Sequence, residues 1–421
     1  MNADYTRLLN LLWRAGCFAG RTFDATTGER VEVVSCGEEE GDSGMWFGAE
    51  VVVDGERQRG DVVVGNTLSD RVILRVVSGD EQPMLDFSGR LIPQINYKIE
   101  PELTKRYDEL MAGAGRVLCA ERIASLEPVY RTDLYTKLLV ARLARKCSDV
   151  TAVFEASGKD WNQCFYAMLL RAMGGNSNRE AFSKLASKVS YTVISREKSS
   201  PERVEALLLG ASGFLFTGEE KDDYTERLEG EFRHLATKHS IVPLKAAEWN
   251  LAKLYPRNHP AVRLAEIAAL LAKSDFLFDV MLACRTVGDV ERLFSAEASE
   301  YWTTHYTPSS APSRPSPKRI GRAKTHLIGI NLVAPLMFTY GRATGSEELC
   351  ERALDLLETI PAEKNTRLDG WAERGCTPAS GFESQALLEL NNSFCATARC
   401  ADCRIGRREI KKALDRFIIK V

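Results

Sequence analysis

The chain lacks several features that would place it in a common class. Its 421 residues carry a formal net charge of −2, so overall charge argues neither for nor against a nucleic-acid partner. The first residues contain no basic segment followed by an apolar one, as a secretory signal would. No apolar run approaches the roughly 18 residues that a membrane span needs. We therefore expect no membrane partner.

The cysteines do not form the regular pattern of a disulfide framework. There are 11 of them, an odd number, and their spacing is irregular. Most of those outside the C-terminal region lie in apolar helical contexts, where we expect buried, unreactive thiols. The sequence therefore predicts a reducing, cytoplasmic location.

Familiar catalytic motifs are also missing. No G-x-S-x-G, H-E-x-x-H or G-x-G-x-x-G occurs in a credible setting. Gly174-Gly175-Asn176 reads as a helix stop and not as a phosphate loop, because no Lys-Ser/Thr pair follows it. We therefore assign no catalytic residue, and we favour a protein that is not an enzyme while leaving the question open.

The periodicity of the apolar residues predicts an α+β protein. An amphipathic helix over 5–15, closed by Gly16, precedes strand-like runs at 30–35, 46–53, 58–65, 71–77 and 84–87. Asp54-Gly55 between two Val-rich runs predicts a hairpin. These features predict a helix and a small, mostly antiparallel sheet, followed by a large all-α domain from Pro101 onward.

Four regions follow from this pattern. They are an α+β domain over 1–100, a helical domain over 101–306, a Pro/Ser-rich loop over 307–323 and a helical C-terminal region over 324–421. Within the second region, Leu134, Leu138, Leu139 and Leu143 make one apolar stripe. We expect the basic residues opposite them to be solvated, namely Lys137, Arg142 and Arg145.

The strongest chemical signal is a group of cysteines near the C-terminus. Cys395, Cys400 and Cys403 have the spacing C-x4-C-x2-C, which lets three thiolates meet one metal centre. Cys376 is the best candidate for a fourth ligand. The candidates after it are His305 and His326. Zinc and an iron–sulfur cluster both fit, and the alternative is a set of uncoordinated buried thiols.

A basic helix is predicted directly after the cysteines. Its outward side chains would meet the phosphates of DNA or RNA; they are Arg404, Arg407, Arg408, Lys411 and Lys412. A second basic run occupies 314–324. The alternative is that both runs are solvated surface. The aromatic residues of 301–306 could stack on bases, but such a group is more often part of a core.

Strings along nearly the whole chain resemble an uncharacterised bacterial family, domain of unknown function 2851. They include Leu11-Leu-Trp-Arg, Asp160-Trp-Asn-Gln-Cys-Phe-Tyr, Tyr301-Trp-Thr-Thr-His-Tyr and Cys400-Ala-Asp-Cys-Arg-Ile-Gly. Members of that family usually carry G-P-D-F on one strand and V-E-I-H on the next. That order resembles the PD-(D/E)XK nuclease core, in which carboxylates on adjacent strands hold Mg²⁺.

This chain departs from the family pattern where the chemistry would occur. It reads Gly44-Met-Trp-Phe47 and Val62-Val-Val-Gly65 at the two strands, and the histidine-bearing insertion is missing. Asp42, Glu50 and Asp61 are the acidic residues left nearby. The resemblance thus implies a nuclease-like scaffold without its site.

Together these features favour a nucleic-acid-associated binding protein with a decayed nuclease-like site and a metal- or cluster-bound C-terminal element. Two alternatives stay open. One is a structural scaffold that docks a protein partner without binding nucleic acid. The other is a residual metal-dependent hydrolase that uses Asp42, Glu50 or Asp61.

Overall fold

The computed structural model describes residues 5–39, 44–66, 70–79, 81–112, 119–217, 220–397, 399 and 402–408. They form two compact units. The first, here the sheet unit, comprises the described residues within 1–127, 370–376 and 390–421. The second, here the helical unit, comprises those within 128–369 and 377–389.

A mixed seven-stranded sheet forms the centre of the sheet unit. Its strands are β1 Arg21–Asp24, β2 Arg30–Ser35, β3 Glu38–Glu39, β4 Met45–Val53, β5 Glu56–Val64, β6 Val72–Val77 and β7 Gln94–Asn96. The order is β1-β2-β4-β5-β6-β7, with β3 paired to β4. Pairs from β1 to β5 are antiparallel, whereas β6 is parallel to both β5 and β7.

The predicted hairpin joins β4 to β5. Asp54 and Gly55 have φ angles of 50° and 90°, the left-handed conformations that a tight turn between antiparallel strands needs. The Asp54 carboxylate also accepts a hydrogen bond of 2.8 Å from the Arg30 amide, which ties the turn to β2. This turn sets the register in which Val53 faces Glu56 and Val51 faces Gln58.

Four short stretches of the sheet unit differ from the sequence prediction. Residues 84–87 form no strand, because the Asp86 carboxylate accepts hydrogen bonds from the amides of Ser88 and Arg90 and closes a turn there. Phe87 is 72% exposed as a result. The strands β1, β3 and β7, of two to four residues, were not predicted, since runs that short carry little periodicity.

The helices begin with α1, Thr6–Arg14, which packs on the sheet and ends before Gly16 as predicted. The others are α2 Pro101–Ala112, α3 Ala120–Ala124, α4 Pro128–Ala156, α5 Trp161–Gly174, α6 Arg179–Lys188, α7 Tyr191–Glu197, α8 Pro201–Ala211, α9 Asp223–His239, α10 Pro260–Lys273, α11 Leu277–Leu282, α12 Val287–Leu293, α13 Arg322–Ile328, α14 Ala334–Thr344, α15 Glu347–Thr359, α16 Thr366–Ala372 and α17 Gly381–Leu390. The predicted α+β class, with a sheet followed by a largely helical region, is confirmed.

Two helices contain or are followed by a π-helical turn. Gly329–Val333 joins α13 to α14, and Asn391–Cys395 follows α17. Such turns place one extra residue in a helix and are frequent at functional sites. Among the described helices, none combines the length and apolar character that crossing a lipid bilayer requires.

The long helix α4 confirms one half of its sequence interpretation and corrects the other. Leu134, Leu138, Leu139 and Leu143 are buried, as the apolar stripe predicted. Arg142, however, is not solvated, since its side chain is 13% exposed and lies 3.6 Å from the Glu389 carboxylate. The pairing residue comes from α17, more than 240 positions away, which a local pattern cannot show.

Candidate functional site

The sheet unit contains the strands where the family resemblance places a nuclease site. Val63 is fully buried and packs with Met45, Val72 and Ile92. The Glu50 carboxylate pairs with Arg57 at 2.8 Å, and that hydrogen bond lowers the pKa of Glu50. Asp61 is 7% exposed, and Asp42 lies outside the described residues.

One buried cation of the sheet unit is Arg75, on β6. Its side chain is 3% exposed, and all five N–H donors of the guanidinium are used. Nε donates to the Gly65 carbonyl at 2.8 Å, and Nη1 to the Gln82 carbonyl at 2.9 Å and to Gln94 Oε1 at 2.6 Å. Nη2 donates to Asn66 and to the Glu81 carboxylate. This closed set of acceptors ties the ends of β5, β6 and β7 together.

The predicted cysteine site lies partly outside the described residues. Cys376, Cys395 and Cys403 are among the described residues of the sheet unit, whereas Cys400 is not described. Over the described ranges, no group of three or more His, Cys, Asp and Glu side chains is close enough to hold a metal ion. The zinc or iron–sulfur interpretation therefore stays a prediction from the spacing.

The surroundings of the described cysteines are well defined. Cys395 ends the π-helical turn after α17, and the Cys403 amide bonds to the Arg399 carbonyl at 3.1 Å. Burial raises the pKa of the Cys403 thiol, so a bound cation would be needed to favour its thiolate. The two histidines considered as ligands have other partners. His305 stacks on Tyr301, with 3.9 Å between the ring centroids, and His326 Nε2 lies 2.8 Å from Glu291 Oε1.

The predicted basic helix is described only in its first turns. Residues 404–408 are helical, with Ile405 buried and with Arg404 and Arg408 exposed. Arg407 is partly buried. This agrees with the expected apolar and basic faces over the described residues. Lys411 and Lys412 lie outside them.

The second basic run, 314–324, is not a continuous basic surface. Lys318 is 1% exposed, its ammonium donates to the Ser316 carbonyl at 2.8 Å, and it lies 4.2 Å from the centre of the Tyr306 ring. Arg322 pairs with Glu291 at 2.8 Å. All of residues 307–317 are described and none lies in a helix or strand, as the Pro/Ser-rich composition predicted.

Among the aromatic residues of this region, Trp302 belongs to the core and Tyr301 stacks on other side chains of the protein. Trp302 is fully buried, and its indole N–H donates to the Glu205 carboxylate at 2.5 Å. Tyr301 is stacked between Tyr224 and His305. The expectation of a core role is confirmed for Trp302, whereas Tyr301, His305 and Tyr306 are half-buried.

A pocket that sequence reasoning missed lies within the helical unit. It has a volume of about 450 Å³, within the range of roughly 300–1,000 Å³ that is usual for small-ligand sites. Its polar lining consists of Lys146, Asp149, Arg171, Asn176, Arg179, Lys324, Asn331 and Glu363. Four cations against two carboxylates leave an excess of two positive charges. We call this the cationic pocket.

Lys146 enters the cationic pocket from α4. Its ammonium donates to Asn331 Oδ1 at 2.8 Å and to Gln385 Oε1 at 3.3 Å, both neutral acceptors. Among the described residues, no carboxylate lies within ion-pair distance of it. Burial, with a smaller contribution from the Arg142 charge, lowers the pKa of Lys146 to about 7.

Lys324 enters from α13. Its ammonium donates to the Ala172 carbonyl at 2.6 Å, in the last turn of α5, where helix carbonyls lack partners within the helix. Burial lowers the pKa of Lys324 to about 8. Both lysines are thus partly buried and bonded to neutral oxygens, and neither forms an ion pair with a described carboxylate.

Two arginines lie at the junction between α5 and α6. Arg171 is in the last turn of α5 and Arg179 begins α6. Gly175 between them has a positive φ of 60° and caps α5, at the helix stop that the sequence predicted. Neither guanidinium has a hydrogen-bond or ion-pair partner among the described residues. Their N–H donors are open to a ligand.

The two carboxylates of the pocket differ in exposure and in hydrogen bonding. Glu363 accepts from Gln385 Nε2 at 2.9 Å and from Asn365 Nδ2 at 3.2 Å, and Gln385 in turn accepts from Arg142 at 2.6 Å. Asp149 is exposed. A chain of side-chain hydrogen bonds therefore orients Gln385, and through it Lys146. Of the lining residues, the sequence analysis named Gly175 and Asn176, but as a helix stop and not as part of a site.

Comparison with known proteins identifies the family to which the chain is similar. A sequence model for a family described as "Protein of unknown function (DUF2851)" matches residues 6–366, most of the chain. No curated protein and no solved structure matches.

Proposed function

We propose that this chain, which belongs to the DUF2851 family, is a nucleic-acid-associated binding protein that holds strand phosphates in its cationic pocket. The observation that carries the proposal is the excess of positive charge there, with Arg171 and Arg179 without protein partners among the described residues. Phosphate contacts supply most of the affinity for nucleic acid, and they are made chiefly by such side chains. Arg404, Arg407 and Arg408 of the C-terminal helix would add further contacts.

Fluorescence anisotropy with single-stranded DNA and RNA at two salt concentrations tests the function. Binding should weaken with salt. The double variant Arg171→Glu/Arg179→Glu should bind more weakly than the wild type at the same salt concentration. It should also lower the salt slope by about 0.7 for each phosphate that the protein no longer neutralises. The matched control is Lys188→Glu/Arg196→Glu, which reverses two exposed cations of the same unit outside the pocket. It should bind as the wild type does.

Absence of salt-sensitive binding to either nucleic acid would overturn the proposal. The protein-docking scaffold would then be the better interpretation. Equal weakening in both double variants would show a general charge effect and would remove the pocket from the function.

The C-terminal cysteines are proposed as the metal-binding element of this protein. Cys376, Cys395 and Cys403 fall in the same compact unit, and Cys400 lies between the last two in sequence. Four cysteines satisfy either zinc or a cubane cluster. Elemental analysis and a visible spectrum of anaerobically purified protein should show about one equivalent of zinc or a broad iron–sulfur absorbance, with loss of either in Cys403→Ala. A metal-free, colourless wild type would contradict this part.

The sheet unit is proposed as a nuclease-like scaffold that has lost its metal site. The support is chemical: the strand position that should carry a ligand holds Val63, buried among Met45, Val72 and Ile92, and hydrocarbon side chains cannot coordinate Mg²⁺.

A further inference from the structure

The cations of the cationic pocket come from four separate helices. Lys146 is on α4, Arg171 on α5, Arg179 on α6 and Lys324 on α13. Bringing cations together costs free energy unless an anion joins them, because like charges at short range repel. The acidic residues of the pocket do not balance them, and the ammonium groups bind only neutral oxygens. The arrangement fits an external anion.

The free hydrogen-bond donors define what the anion should offer. An ammonium group has three N–H donors. Lys146 uses two of them within the protein and Lys324 uses one, so three remain between the two lysines. Arg171 and Arg179 add all of their guanidinium donors. Such a donor set fits an acceptor-only group with several oxygens, such as a phosphate.

The remaining lining argues against recognition of a base. Its apolar part is aliphatic, namely Val150, Met168, Leu327, Ile328, Leu332 and Pro335. No aromatic side chain is among the described residues of the lining, so the stacking platform on which nucleic-acid bases usually lie is missing from that part of the chain. The described lining therefore offers hydrogen-bond donors for a phosphate and no aromatic platform for a base.

The charge excess distinguishes two kinds of phosphate. An internal phosphodiester carries a single negative charge, whereas a phosphate monoester carries about −1.5 to −2 at neutral pH. With both lysines protonated, the state that a bound anion favours, the excess of two positive charges matches the monoester better. We infer that the cationic pocket binds a terminal phosphate monoester, at the end of a strand or on a free small molecule, in preference to an internal phosphodiester. The strand-borne form of this inference rests on the proposed function.

Oligonucleotides that differ only at one end test the inference. The full-length protein is titrated with short single strands bearing either a 5′-phosphate or a 5′-hydroxyl, and with a second pair that differs in the same way at the 3′ end. Calorimetry with adenosine 5′-monophosphate and with adenosine forms the free-ligand arm. The phosphorylated member of at least one pair should bind about tenfold tighter, the size expected for one or two charge-assisted hydrogen bonds.

Matched lysine variants assign the preference to the pocket. Lys146→Met and Lys324→Met should each reduce the preference for the phosphorylated member, whereas Lys188→Met, on an exposed lysine outside the pocket, should leave it unchanged. Circular dichroism establishes that each variant is folded. A preference that survives in both pocket variants would overturn the inference.

The outcomes separate this inference from the proposed function. Equal binding of phosphorylated and hydroxyl strands would overturn the inference and leave nucleic-acid binding standing. Binding of the mononucleotide but of no strand, with dependence on Lys146, would support the inference for a free ligand and end the proposed function. No phosphate-dependent binding in any arm would overturn the inference.

Discussion

Two cationic sites, the buried Arg75 of the sheet unit and the half-buried Lys146 of the helical unit, stabilise their charges in different ways. In the sheet unit, Arg75 gives all five of its donors to protein oxygens, including the Glu81 carboxylate. In the helical unit, Lys146 donates only to the amide oxygens of Asn331 and Gln385, and its pKa falls to about 7. One charge is fully compensated by the protein and the other is not.

This difference in hydrogen-bond partners distinguishes a charge that stabilises the fold from a charge that can bind a ligand. A buried charge with a complete set of partners stabilises the local fold, because removing it would leave several polar groups unpaired. A cation held by neutral oxygens keeps part of its desolvation cost and gains a full partner only when an anion arrives. Side chains with strongly shifted pKa values are accordingly more common in functional sites than elsewhere in a protein.

The largest expected effect comes from removing the compensated charge. Arg75→Met should destabilise the protein by about 3–5 kcal/mol, because Glu81, Gln94 and two backbone carbonyls lose their donor. Urea unfolding followed by circular dichroism measures this. The control is Arg57→Met, since Arg57 pairs with Glu50 at the surface and should give no measurable change.

An Arg75→Met protein as stable as Arg57→Met would break the comparison. It would mean that water or a rearranged loop replaces the guanidinium without cost, and that a complete set of hydrogen bonds does not mark a structural charge here.

The sheet unit was the easier part to predict from sequence. Asp54-Gly55 and Gly16 act through local backbone conformation, so their sequence signals match the turn and the helix end. The prediction of a strand over 84–87 was wrong because hydrogen bonds to the Asp86 carboxylate decide the local conformation, and these compete with strand pairing.

The cationic pocket could not be predicted, for a reason that lies in the tertiary structure. Lys146, Arg171, Arg179 and Lys324 are far apart in sequence, and each looks like an ordinary surface cation of a helix. Only packing of four helices brings them together. The cysteines are the opposite case, a clear local spacing whose geometry depends on Cys400, outside the described residues.

A smaller effect should separate Lys146 from Arg75 through pH. Folding lowers the pKa of Lys146 to about 7, so the unfolded chain binds more protons between about pH 7 and pH 10.5 and stability should rise with pH in that window. Lys146→Met should therefore be more stable than wild type at pH 6, and the difference should shift in favour of the wild type by about 2–3 kcal/mol between pH 6 and pH 9. The charged groups around this lysine are Arg142, Arg145, Asp149 and Glu363, with the pocket cations Arg171, Arg179 and Lys324. Urea unfolding of both proteins across this range measures the difference. A pH-independent difference, or a variant destabilised at pH 6, would show that the protein itself compensates the charge of Lys146, as it does for Arg75, and the pocket would have no unmet need for an anion.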